Sequence, residues 1–312
     1  MKIHNKLLFA ACVILSITRH VQSQNQQGFI TLDCGLPSNE SPYNDTKNNL
    51  TFISDANFIQ GGKTGNIQKD LVIKFRKPYT VLRYFPDGSR NCYSLNVTQD
   101  TNYLIRAGFL YGNYDGLNNS PRFDLYLGPN IWENIDMGKS GDAVFEEIIH
   151  ITRSNILEIC LVKTGTSTPM ISTIELRPLR YDLYPSQTGS LRNLFRYYFT
   201  NSGKFVRYPQ DIHDRIWIPY LLPEWTPTNT TLNVTDPSEG YDPPQEVLRT
   251  GAMPTNVSDP MTITWDLNTA TDQVYGYIYI ADITQVPANE TREFAIVVND
   301  KVHFDPSSPT EV

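Results

Sequence analysis

The chain is poor in charge: only 19% of its 312 residues are Asp, Glu, Lys or Arg. Long exposed helices and coiled coils need dense Ala, Glu, Lys and Leu, so both are disfavoured. Positive charge is the scarcer sign, with 26 Lys and Arg against 33 Asp and Glu and a net charge of −7. No basic stripe stands out. That argues against nucleic acid as a partner, because phosphate binding needs clustered Lys and Arg. Histidine and cysteine are also rare, at 5 and 4 residues. His150 sits inside an apolar run and reads as structural. His213 and His303 have no His, Cys or Asp partner at metal-ligand spacing, so no metal site is legible. Gly61-Gly62-Lys63-Thr64 lacks the earlier glycine of a phosphate loop, since Asn57 stands in its place. Lys163-Thr164-Gly165 lacks a Ser-x-x-Lys companion. Both read as turns, and no catalytic residue or cofactor motif emerges.

No apolar run reaches the roughly 20 residues that a membrane-crossing helix requires. The N-terminal run, Leu7 to Ile17, is too short for one. Lys2 and Lys6 precede it and Val21-Gln22-Ser23 follow it, the three-part pattern of a secretory signal peptide over residues 1–23. Its removal takes away Lys2, Lys6 and Arg19 but no acid, so the remaining chain is more acidic. It also removes Cys12 and leaves Cys34, Cys92 and Cys160. Three cysteines allow one disulfide and one leftover thiol, with the pairing open.

What the chain has instead is 18 Tyr, 14 Phe, 21 Pro and 18 Gly. Strand-length apolar or alternating runs include Leu71–Phe75, Tyr103–Leu110, Phe123–Leu127, Ile156–Val162 and Ile171–Leu176. Met261–Trp265, Val274–Ile280 and Phe294–Val298 follow in the second half. Turn signals at Asp87-Gly88, Asp115-Gly116 and Gly128-Pro129 separate several of them. The pattern predicts an all-β chain built of β-sandwich modules. The segment from Tyr103 through Arg122-Phe123 is echoed by the one from Tyr275 through Arg292-Glu293-Phe294, which implies two similar modules. Glycan-acceptor sequons stand at Asn39, Asn44, Asn49, Asn96, Asn118, Asn229, Asn233, Asn256 and Asn289. They predict wet loops in an extracellular chain.

The order of short motifs is more specific. Gly28-Phe-Ile-Thr-Leu-Asp-Cys-Gly35 precedes Ser54-Asp-Ala-Asn-Phe-Ile59, Leu82-Arg-Tyr-Phe-Pro-Asp-Gly88 and Arg90-Asn-Cys-Tyr93. Leu110-Tyr-Gly-Asn-Tyr-Asp-Gly116, Phe123-Asp-Leu-Tyr-Leu-Gly-Pro129, Trp132, Ile159-Cys-Leu-Val-Lys-Thr-Gly165 and Ile174-Glu-Leu-Arg-Pro178 follow. Asp214-Arg-Ile-Trp217 and Thr291-Arg-Glu-Phe294 complete the series. It resembles the malectin-like extracellular region of plant leucine-rich-repeat receptor-like kinases, without their repeats, transmembrane helix or kinase. The resemblance implies tandem jelly-roll-type β-sandwiches: residues 24–180 as module one, 181–193 as linker and 194–312 as a C-terminally shortened module two. It implies a secreted, apoplastic protein whose relatives are plasma-membrane receptors.

The expected function is non-catalytic recognition of a cell-wall glycan or a peptide, with receptor-like kinase ectodomains as further partners. Tyr111, Asn113, Tyr114 and Asp115 lie in a loop after a strand, where flat rings and short polar side chains suit a sugar. Tyr84 and Tyr93 fall in segments that match the family's sugar site more loosely. In module two the corresponding place is Thr284-Gln285, without rings. One alternative is a soluble interaction or decoy fragment that pairs with full-length receptors. Another is an apoplastic glycosidase, for which Asp33, Glu146, Glu147, Glu158 and Glu175 qualify by residue type alone.

Overall fold

The computed structural model describes residues 26–139, 142–185, 189–234, 240–267, 272–284, 291–307 and 310–311. The signal peptide read over 1–23, Gln285 and the Asn289 sequon lie outside these residues. The chain is nearly all β and divides into two compact units, one ending at Leu194 and the next beginning at Phe195.

The first unit runs through β1 (Ile30–Asp33), β2 (Tyr43–Asp45), β3 (Leu50–Ser54), β4 (Lys63–Asn66), β5 (Val81–Tyr84), β6 (Arg90–Asn96) and β7 (Asn102–Phe109). It continues with β8 (Arg122–Leu127), β9 (Asn130–Asp136), β10 (Val144–Ile151), β11 (Ile156–Val162), β12 (Met170–Ile171), β13 (Thr173–Leu179) and β14 (Ser190–Arg192). A seven-stranded sheet has the order β14-β10-β7-β13-β1-β3-β2, and a four-stranded sheet has the order β6-β11-β8-β9. A three-stranded sheet, β12-β5-β4, completes the unit. The residues 181–193 expected as linker carry β14, which pairs with β10, and Leu183 and Tyr184 are buried. Its described residues therefore belong to the first unit.

Period-two alternation explains the core. Ile105, Ala107 and Phe109 of β7 share one face and join Leu32, Ile174 and Leu176. Phe123 and Leu125 of β8, Leu157, Ile159 and Leu161 of β11 and Leu95 of β6 belong to the same buried cluster. Cys92 and Cys160 stand directly opposite each other in the β6–β11 ladder and form the disulfide. Cys34 is the free thiol, fully buried. Burial pushes its pKa well up and keeps it neutral.

The other face of β7 is also buried, yet it is charged. Arg106 donates to Glu147 of β10 at 2.8 and 2.5 Å and to Glu175 of β13 at 2.9 Å. Arg177 donates to the same Glu175 oxygen at 2.5 Å, to the Ile30 carbonyl at 2.8 Å and to the Thr31 hydroxyl at 3.0 Å. Two cations and two anions thus neutralise one another out of water. Removing one leaves a buried charge uncompensated, which costs about 3–5 kcal/mol. Arg106→Met is expected to lower the stability of the chain by that amount in urea titration; a loss under about 1 kcal/mol would show that the carboxylates relax to solvent.

Asp33, at the end of β1, is fully buried and accepts a 2.7 Å bond from the Tyr43 hydroxyl. Its Oδ1 has no partner among the described residues. Burial pushes its pKa up to about 7, with Tyr43 and Lys77 working the other way. Glu146 is likewise pushed up to about 7, by burial and by Glu133. The fold thus favours both protonated carboxyls. The benefit is complete below the ordinary carboxyl range and is lost as pH rises through about 7. Stability is therefore expected to decline across that window, and Asp33→Asn with Glu146→Gln is expected to flatten the decline in denaturation curves taken at each pH.

The second unit holds β15 (Tyr197–Phe199), β16 (Ile218–Tyr220), β17 (Trp225–Asn229), α1 (Gln245–Leu248) and β18 (Thr250–Pro254). β19 (Ala281–Asp282), β20 (Phe294–Val298), β21 (Lys301–Ser307) and β22 (Thr310–Glu311) follow. Among the described residues they pair in twos: β15 with β16, β17 with β18, β19 with β22 and β20 with β21. Tyr198, Val206, Trp217 and Val247 form its buried cluster, with Tyr279 against it.

Three segments expected as strands are not strands. Leu71–Phe75 folds as consecutive turns, closed by Leu71 N–H to the Gln68 carbonyl and Lys74 N–H to the Leu71 carbonyl. Met261–Trp265 and Val274–Ile280 join no ladder among the described residues. A strand needs a partner edge, which an alternating pattern cannot supply by itself. The reverse holds at Gly61–Thr64. Gly61 and Gly62 turn with positive φ, but Lys63 and Thr64 begin β4.

Candidate functional site

The loop leaving β7 is organised around the Tyr111 hydroxyl. This oxygen lies 2.5 Å from Asp115 Oδ1 and 3.1 Å from Asn113 Oδ1, and it accepts a bond from the Asn119 N–H at 3.2 Å. Asn113 Oδ1 also accepts from the Asn118 N–H, and Asp115 Oδ1 from the Leu117 N–H. The short polar side chains read as sugar contacts thus spend these oxygens on their own loop. Burial, with Asp115 adding, pushes the Tyr111 phenol up to about 12, so it stays a neutral donor.

Two glycines set where the loop lies. Gly112 has φ +49 and sits so close to Ile67 that a Cβ would come within 2.4 Å of it. Its carbonyl accepts the Gln68 N–H at 2.9 Å. The Tyr114 ring covers Gly65 of β4, where an added Cβ would meet it at 2.9 Å. From this position Tyr114 touches two other rings: Tyr84 at 4.8 Å between centroids, tilted 38°, and Tyr111 at 5.7 Å, edge-on at 83°. Tyr84 and Tyr114 are half-buried, while Tyr111 is 8% exposed. Lys63 stands opposite Tyr84 in the β4–β5 ladder. Sequence reasoning missed it because Gly61–Thr64 read as a turn.

Of the residues expected to line a sugar site, Tyr84, Tyr111, Asn113, Tyr114 and Asp115 come together. Tyr93 does not. It is fully buried, and its hydroxyl donates to Asp55 at 2.8 Å. The same carboxylate accepts both ends of the Arg83 guanidinium, at 2.6 and 2.7 Å, and the Gly35 N–H at 3.0 Å. Tyr93 and Leu95 occupy the inward positions of β6, so period-two reading would have placed Tyr93 inside. The candidate carboxylates are also placed: Glu147 and Glu175 are buried against Arg106, Asp33 is buried, and Glu158 is exposed. His150 Nδ1 lies 2.7 Å from the Ser190 hydroxyl, linking β10 to β14, and burial lowers its pKa. Asn39, Asn44, Asn49, Asn96, Asn118, Asn229, Asn233 and Asn256 are all exposed.

In the second unit the Asp214-Arg215-Ile216-Trp217 motif is structural. Asp214 accepts Arg207 at 2.8 and 2.7 Å and the Tyr208 N–H at 3.2 Å. Asp211 accepts Arg215 at 2.8 Å and the Trp217 indole at 2.6 Å. His213 Nε2 lies 3.2 Å from Asp242, and burial lowers its pKa despite that carboxylate. Thr284, where module two was expected to lack rings, receives Arg292 at 2.9 Å.

Tyr111→Phe removes the hub of the loop. Amide exchange at Asn119 is expected to accelerate by about tenfold or more, while β7 amides stay protected; unchanged exchange would show that the loop holds without the hydroxyl.

Comparison with known proteins gives one family. The family model described as Malectin-like domain matches residues 32–312. A probable LRR receptor-like serine/threonine-protein kinase of Arabidopsis thaliana is 78% identical over 98% of this chain. A putative leucine-rich repeat receptor-like serine/threonine-protein kinase of the same plant is 61% identical over 98%. The chain spans 35% of the length of each. Among solved structures, plant peptide RALF23 in complex with FER and LLG2 contains a chain that matches with a TM-score of 0.63 and 17% identity, over 91% of this chain and 83% of that one. The ANXUR1 extracellular domain from Arabidopsis thaliana matches with a TM-score of 0.59 and 15% identity, over 71% and 66%.

Proposed function

The chain belongs to the malectin-like domain family, and from that premise we propose that it is an extracellular, non-catalytic recognition module with a cell-wall carbohydrate as ligand. The observation that carries the ligand class is the convergence of Tyr84, Tyr111 and Tyr114 beside Lys63. Tyr84 and Tyr114, both half-buried, offer ring surface to a pyranose, and Lys63 opposite Tyr84 adds a polar neighbour, while the loop's own hydrogen bonds hold the rings in place. The pre-built loop lowers the ordering cost of binding. The extracellular setting is supported by the Cys92–Cys160 disulfide and by eight exposed sequons.

A second reading is a peptide ligand. It is favoured by the likeness over 91% of this chain to a structure that contains a bound peptide and a further protein. On that reading the partners are a secreted peptide and other receptor ectodomains.

Calorimetric titration with glucan and pectic oligosaccharides separates the two. Binding that weakens about tenfold or more in Tyr84→Ala and Tyr114→Ala, with unchanged circular dichroism, is the expected result. No heat with any oligosaccharide would sink the carbohydrate reading and leave the peptide.

A further inference from the structure

Among the described residues, β2 and β14 end the seven-stranded sheet of the first unit, and β6 and β9 end the four-stranded one. An end strand presents a row of N–H and C=O groups that can template a further strand. Two of these edges share a flank. The turn after β3 reaches β6: Asp55 accepts the Tyr93 hydroxyl at 2.8 Å, and the Phe58 carbonyl accepts the Ser94 N–H at 2.9 Å. β3 is the ladder neighbour of β2, so β2 and β6 lie on the same side of the unit. On the other side Arg192 of β14 is ion-paired with Glu133 of β9, which puts charge on both of those edges.

The β2–β6 flank carries sequons instead. Asn44 is the middle residue of β2, Asn49 stands in the turn between β2 and β3, and Asn96 is the last residue of β6. All three are exposed, and Thr46, Thr51 and Thr98 complete their sequons. Neither β9 nor β14 holds a sequon. The backbone of β6 makes the placement specific. In an antiparallel ladder, alternate residues turn their N–H and C=O toward the partner and away from it. Ser94 gives its N–H to Phe58 rather than to β11, so Cys92 and Asn96 also aim their main-chain groups outward. Tyr93 and Leu95 face the core, which leaves the Asn96 side chain on the solvent face of that edge.

We propose that Asn44, Asn49 and Asn96 carry N-linked glycans that cap the β2–β6 flank and block strand addition to both of its sheet edges. A strand added to either edge would lie about 4.8 Å away, inside the volume that a bulky, hydrated sugar chain fills. The glycans therefore keep this flank in solvent, as charge does at β9 and β14. The inference rests on the extracellular setting proposed above, because only a secreted chain meets the glycosylating machinery.

Peptide mass spectrometry of the chain secreted from plant cells tests occupancy, and glycan at all three positions is expected. Bare sequons there, with glycan at Asn229 or Asn233, would overturn the capping role alone; a chain bare at every sequon would overturn the extracellular setting as well. Sedimentation velocity from about 1 to about 100 µM then compares the secreted chain with the combined Asn44→Gln, Asn49→Gln and Asn96→Gln variant. The variant is expected to self-associate about tenfold or more tightly, with amide exchange in β2 and β6 slowing as concentration rises. Asn229→Gln with Asn233→Gln and Asn256→Gln, in the second unit, is expected to leave association unchanged. Circular dichroism checks that each variant folds. Asn49 has φ +54, a backbone region that suits asparagine. Endoglycosidase trimming of the folded wild-type chain therefore repeats the comparison without a substitution. A variant and a trimmed chain that associate no more than the secreted one, or association that leaves the β2 and β6 amides unprotected, would overturn the proposal.

Discussion

The first unit depends on four charges buried on one face of its largest sheet. β7 is enclosed on both sides, and a strand in that position ordinarily reads as unbroken Val, Ile and Leu. Here Arg106 interrupts the run and is answered by Glu147 on one neighbouring strand and Glu175 on the other. Arg177 then carries the network to the backbone of β1. Four adjacent strands, β10, β7, β13 and β1, are bound by one neutral cluster. A slip of one residue would turn Arg106 into the apolar interior and strand its carboxylates, so the network specifies register as well as pairing. Register in turn decides where β7 ends, and therefore where the Tyr111 loop begins.

A second polar knot connects that scaffold to the candidate site. Asp55 gathers Arg83 of β5, Tyr93 of β6 and the Gly35 amide around one buried carboxylate. Tyr84 is the next residue after Arg83, so anchoring the arginine also fixes the strand that presents the ring. Gly65 and Gly112 lack the Cβ atoms that would collide with the Tyr114 ring and with Ile67, so the loop can lie close to β4. The ring cluster is thus a consequence of backbone approach and buried charge, together with the hydrogen bonds of the Tyr111 loop. The second unit repeats the device with Asp211 and Asp214 holding Arg207, Arg215 and Trp217.

Much of this was legible in the residues. Alternation marked β8 and β11, where one face is the more deeply buried, and apolar runs marked β7 and β13, which are buried on both faces. Tyr111 and Tyr114 were legible as loop aromatics from the turn signals around them. Tyr93 was misplaced because its neighbourhood was matched by motif, while its alternation with Leu95 pointed inward. Leu71–Phe75 was misread because apolar content cannot tell a strand from a turn that projects its side chains into solvent.

The sequence by itself determined the all-β class, the family and the exposed sequon positions, since each rests on local pattern and residue order. Tertiary structure alone decided three other things: that Cys92 pairs with Cys160 and Cys34 stays free, that Arg106 meets two carboxylates, and that Tyr84 reaches Tyr114. Each of these depends on residues far apart in the sequence. Which residues face each other follows from sheet order and register, and those are settled by burial and charge compensation across the whole unit rather than by any single stretch of chain.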